Sequence, residues 1–89
     1  AAPQAASRLL WVKAAVEADP AQGIAWLQQA LVFDPDNLPA LQLLSGLYTA
    51  AQDYRKARLY LRRAAELDPE NAELRQRLQQ LEERAGLNY

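Results

Sequence analysis

Apolar residues return along this chain with helical spacing in five separate stretches, each bounded by residues that stop or start a helix. Leu41, Leu44 and Tyr48 share one face. Ala57, Tyr60, Leu61 and Ala64 share another, and Leu74, Leu78, Leu81 and Ala85 a third. The punctuation is regular. "ALVFDPDN" starts at Ala30 and "AAELDPEN" starts at Ala64, 34 residues later. Each Asp-Pro pair disfavours helix at the residue before the Pro, so helices are expected to stop near Phe33 and Leu67. Asn37 and Asn71 suit the caps of the helices that follow. Asp19, followed by Pro20 and then Gln22 three residues after the cap, reads as a capping-box start, and Asp53 as the matching start one period on. Gly86 suits the left-handed position after the last helix, from which Leu87 would fold back on Leu81. The pattern predicts helices at about 5–17, 20–33, 38–51, 54–67 and 72–85. Their short loops imply antiparallel neighbours.

Two helices per 34 residues is the period of a tetratricopeptide repeat. The stretch "ALQLLSGLYTAAQDYRKARLYLRRAAELDPEN" resembles one along its length. Counting Leu38 as position 1, Leu44 and Tyr48 hold positions 7 and 11. Ser45 and Gly46 lie at and beside the small position 8. Ala57, Ala64 and Pro69 hold positions 20, 27 and 32, and Leu61 replaces the aromatic of position 24. The resemblance implies an all-α, right-handed superhelix of antiparallel hairpins. Residues 1–3 would be a linker, 4–37 the first repeat, 38–71 the second, 72–86 a capping helix and 87–89 a tail. In the first repeat Trp11 stands at the small position 8, Ala14 at the aromatic position 11, and Gly23 at position 20. This predicts a size exchange in which Gly23 makes room for the indole of Trp11. Trp26 is expected nearer the repeat's outer edge. The narrow apolar stripe of 72–85 suits a polar end-cap. Stacked repeats generally need about three units. Further repeats upstream, or pairing of the uncovered first helix with something else, are therefore expected.

Composition removes several functions. The chain has no Cys and no His, so disulfides, thiol chemistry, zinc sites and the usual neutral-pH base are excluded. Its hydroxyls are Ser7, Ser45, Thr49 and four Tyr, with no His to activate any of them. The three Gly are isolated, so there is no phosphate loop. An enzyme is not expected, and no cofactor or metal is implied. No apolar run approaches the ~20 residues of a membrane span. Net charge is −1, unevenly spread. Residues 1–54 hold two bases against five acids, a net −3, and residues 55–89 hold eight bases against six acids, a net +2. Arg-rich, Ala- and Leu-rich usage leans toward a GC-rich bacterial genome. Without an initiator Met, and with "AAPQAAS" at the start, the sequence reads as a piece of a longer chain. Bacterial cytoplasm and envelope both remain open.

The resemblance implies a protein or peptide partner docked in a concave groove lined by the first helix of each repeat. The residues that would line it are Arg8, Leu9, Val12, Val16, Gln42, Leu43, Gly46 and Thr49, joined by Arg77 and Gln80 from the cap. The same apolar face could instead form a homodimer, or simply pack as core. Some chaperone-binding members of the family grip a C-terminal carboxylate with Lys or Arg and Asn. The corresponding positions here are Arg8, Val12, Leu43, Glu73 and Arg77, which keep too little of that clamp for it to work. A second candidate face is the run "YRKARLYLRR", five bases and no acid. Arg55, Lys56, Arg58, Arg62 and Arg63 are expected to point outward on the convex side around Leu59. That band could meet an acidic protein, or be only a solvated face. The near-neutral total charge and the absence of a binding motif argue against nucleic acid.

Overall fold

The computed structural model describes residues 3–86 and contains five helices, α1 (Pro3–Ala15), α2 (Pro20–Phe33), α3 (Leu38–Ala50), α4 (Tyr54–Leu67) and α5 (Ala72–Ala85). The closest-packed pairs are α1 with α2 and α3 with α4, the two hairpins implied by the repeat. α3 also packs on α2 and touches α1, and α5 packs on α4. The result measures 44 × 29 × 17 Å, a flattened slab longest in one direction.

Local chemistry sets most of the ends. The Asp19 side chain accepts from the Ala21 amide, Asn37 from Ala40, Asp53 from Lys56, and Asn71 from both Glu73 and Leu74. Each cap satisfies amides that have no partner in the first turn. The Asp-Pro loops close alike, with the Asn37 amide on the Asp34 carbonyl and the Asn71 amide on the Asp68 carbonyl. Gly86 sits at φ 69°, in the left-handed region that suits a residue without Cβ. The contact expected between Leu87 and Leu81 lies outside the described residues.

Three expectations need correction. α1 runs from Pro3 to Ala15, two residues earlier than expected, so Pro3 is helix and not linker. Its C-terminal end tightens, with the Val16 and Glu17 amides turning back three residues to the Lys13 and Ala14 carbonyls. At α2 the reciprocal bond to the Asp19 amide comes from the Glu17 carboxylate, 3.0 Å away, and not from Gln22. α3 ends at Ala50, one residue early. There the Asp53 amide reaches the Tyr48 carbonyl and the Gln52 amide the Thr49 carbonyl, a Schellman closure with Gln52 at φ 61°. A left-handed glutamine is strained by about 1–2 kcal/mol. Gln52→Gly is therefore expected to raise stability by up to about 1 kcal/mol, part of the relief being offset by the freer unfolded chain. The urea midpoint should rise with an unchanged slope.

The core is a row of small and medium side chains along the hairpin seams. Leu27, Ala30, Ala40, Leu41, Leu44, Ala57 and Ala64 are fully enclosed, and Ala14, Tyr48, Leu61, Leu74 and Leu81 nearly so. Alanines at 30, 57 and 64 let the helices approach closely while leucines fill the gaps. The Tyr48 ring stacks on Tyr60 at 5.7 Å between centroids, and its hydroxyl accepts from the Gln28 amide.

The size exchange at Gly23 is not what the structure shows. A methyl at Gly23 would meet Leu47 Cδ1 at 3.6 Å and the Ala14 carbonyl oxygen at 3.8 Å, both ordinary contacts. Trp11 does not come within 4 Å of that point. The indole instead lies half-buried against the flank of the core. Trp26 packs there too, with Lys13 Nζ 5.1 Å from its ring centroid, in cation–π range.

One polar cluster is buried. Ser7 Oγ donates to the Ala30 carbonyl at 2.8 Å and accepts from the Asn37 side-chain amide at 2.7 Å, tying α1 to α2 and to the cap of α3. The equivalent of Ser7 in the second repeat is Leu41, which offers no hydroxyl. There Asn71 turns its amide onto the Asp68 carboxylate instead.

Candidate functional site

Because α3 and α5 are successive first helices, their exposed faces line one open cleft of about 450 Å³. Gln42, Ser45, Gly46 and Thr49 come from α3. Arg77, Gln80, Leu81 and Arg84 come from α5, and Leu61 reaches in from α4. Leu61 and Leu81 are almost fully buried and form an apolar floor. The hydroxyl of Thr49 donates back to the Ser45 carbonyl at 2.7 Å, so it is held on its own helix. The Ser45 hydroxyl, the Gln42 and Gln80 amides and the two guanidiniums are the other polar side-chain groups along the walls. A Cβ added at Gly46 would meet nothing within 4 Å, so this residue opens one wall of the cleft.

Five residues singled out from the sequence therefore line one cleft: Gln42, Gly46, Thr49, Arg77 and Gln80. The others lie elsewhere. Leu43 is half-buried against the core. Arg8, Leu9 and Val12 on α1 and Val16 just past its end are exposed and do not line the cleft, Leu9 at 67% and Val16 at 82%. They occupy the α1 face that corresponds to Gln42, Leu43, Gly46 and Ala50 on α3, one period back. Sequence reasoning missed Ser45, Leu61, Leu81 and Arg84. Arg84 was within reach of the same logic, since it stands at position 13 of the cap, the position of Val16 and Ala50 in the repeats. The carboxylate-clamp positions are not gathered at the cleft, and Arg77 Nη2 already lies 2.6 Å from Glu73 Oε1.

The basic run on α4 is only partly an outward band. Arg55, Lys56, Arg62 and Arg63 are exposed, as is Leu59. Arg58 departs from the expectation: its side chain is 31% exposed and faces α5, with Nε 3.1 Å from Glu82 Oε2. That N–H does not point at the carboxylate well enough for a hydrogen bond, so the contact is an ion pair fastening α5 to α4. Lys56 lies 3.7 Å from Asp53, and Arg63 lies 4.0 Å from Asp36 in the α2–α3 loop. Three of the five bases are thus close to an acid, which weakens the field this face presents.

A stack of antiparallel helix hairpins with an open cleft between successive first helices defines an α-helical repeat protein. The tetratricopeptide repeat family model matches residues 14–81, most of the chain, and the chain belongs to that family. The match begins at Ala14, after most of α1, and leaves out Trp11, which departs from the repeat pattern. Repeats of this family mediate protein–protein interactions and are a non-catalytic fold. No curated protein shows significant similarity to the chain. Among the described residues, no helix is long and apolar enough to cross a membrane.

Proposed function

We propose that this domain is a scaffold or adaptor module that docks a peptide or helix of a partner protein in the cleft between α3 and α5, within a larger bacterial assembly. The observation that carries the reading is the cleft itself. It has an apolar floor at Leu61 and Leu81, amides and guanidiniums on its walls, and an open side at Gly46. A floor of this kind supplies affinity at ~25 cal/mol per Å² buried, before association costs. The polar groups at the rim fix direction and register. A partner that runs on past the cleft meets Leu9 and Val12 on the equivalent face of α1, and Val16 just past its end.

Gly46 gives a cleaner test than Leu43. Leu43→Glu would place a carboxylate against the core and confuse lost binding with lost fold. Gly46→Trp instead starts from a Cβ that meets nothing within 4 Å, adds bulk at the cleft wall, and replaces a poor helix former with a better one. The expected result is loss of binding to the members of a random short-peptide array that the wild-type chain captures. The melting temperature should be unchanged or slightly raised. Binding that survives with the fold intact contradicts docking in the cleft.

The exposed apolar stripe of α1 favours a second reading, a homodimer through Leu9, Val12 and Val16. Light scattering on a sizing column over a wide concentration range separates the two. A constant monomer mass removes the dimer, and a dimer that dissociates in Val12→Glu places self-association on α1.

A further inference from the structure

We propose that the cleft between α3 and α5 selects an acidic segment of its protein partner, whose carboxylates pair with Arg77 and Arg84 while a neighbouring apolar side chain rests on Leu61 and Leu81. This deepens the docking reading and rests on it. The charge of the cleft carries the argument. Its lining holds two Arg and neither Asp nor Glu, whereas the chain as a whole is net −1. The lining is therefore positive although the chain as a whole is not.

The two bases stand seven residues apart on α5, close to two helical turns, so they project along the same wall. Gln80 lies between them and offers both a donor and an acceptor to a bound backbone, as Gln42 does from the opposite wall. An acidic segment with an apolar residue between its carboxylates matches this order of groups. A basic segment would bring like charges together at both Arg positions.

Glu73 does not close the site. Its bond to Arg77 is an exposed pair within one helix, both side chains more than half accessible. Pairs of that kind are worth little and exchange readily. It uses one guanidinium nitrogen, and a guanidinium carries five N–H donors, so a partner carboxylate can share Arg77 or displace Glu73.

The test is an array of short random-sequence peptides ranging from strongly acidic to strongly basic. It is probed with the wild-type chain, with the double variant Arg77→Gln/Arg84→Gln, and with Gly46→Trp. Gln keeps helix propensity, so the double variant should fold, and circular dichroism checks that it does. The expected captured set is rich in Asp and Glu, weakens with added salt, and loses roughly tenfold or more in affinity when both Arg are neutralised. A captured set that is neutral or basic overturns the inference, as does acidic binding that the double variant leaves unchanged. If Gly46→Trp abolishes capture but acidic peptides are not preferred, docking in the cleft stands and the acidic class falls. If acidic peptides bind wild type and Gly46→Trp equally, the docking reading itself falls. An array that captures nothing counts against both.

Discussion

Replacing Leu44 with Ala is expected to lower stability by about 2–5 kcal/mol, the range for emptying a fully enclosed leucine site. Leu44 has no exposed surface and lies on α3, the helix that packs against α1, α2 and α4. A cavity there cannot collapse easily, because moving one wall disturbs contacts with the others. A domain of this size is stable by only about 5–15 kcal/mol, so the variant would lose a large part of the total. Urea denaturation measures it. The midpoint should fall sharply with the slope unchanged if unfolding stays two-state. A loss under about 1 kcal/mol would mean that the seam between the hairpins is looser than the packing described.

Asn37→Ala is the second large effect, and the repeat supplies its own control. Asn37 caps α3 through Ala40 and also donates to buried Ser7. Asn71 caps α5 in the same way, but its amide goes to the part-exposed Asp68. Losing a cap costs about 1 kcal/mol. Losing the buried bond to Ser7 costs about 1 kcal/mol more. Asn37→Ala should therefore cost about 2 kcal/mol and Asn71→Ala about half that. Equal losses in the two variants would show that the Ser7 cluster contributes nothing. Ser7→Ala should cost at least the difference between them, since it removes the same bond and also the one to the Ala30 carbonyl.

These cases also show which parts of the molecule could be read from sequence. Helices whose ends are set by residues within four positions were placed to the residue: α2 by Asp19 and the first Asp-Pro, α4 by Asp53 and the second, α5 by Asn71 and Gly86. The α1 boundaries shifted because no such cap was recognised ahead of Pro3, and because its last turn tightens through main-chain bonds. Features that depend on residues far apart were harder. Ser7 read as one more hydroxyl, since its partners lie 23 and 30 residues away. Trp11 and Gly23 were paired by repeat position, yet the neighbours of Gly23 are Leu47 and Ala14. Arg58 sits on the polar side of its own helix by periodicity, but α5 lies over that side and brings Glu82 to it. The cleft divides the same way. Repeat positions single out five of its lining residues, while its floor, Leu61 and Leu81, reads from sequence only as part of the apolar faces of α4 and α5.

The most direct test of the docking face is an amide chemical-shift map of the isotopically labelled chain, titrated with an array-selected peptide. Docking in the cleft predicts that the largest shifts fall on Gly46, Thr49, Gln80 and Arg84, with Arg55, Arg62 and Leu59 unmoved. Shifts centred on α4's exposed bases, or confined to Leu9, Val12 and Val16 at α1 and its end, would contradict it.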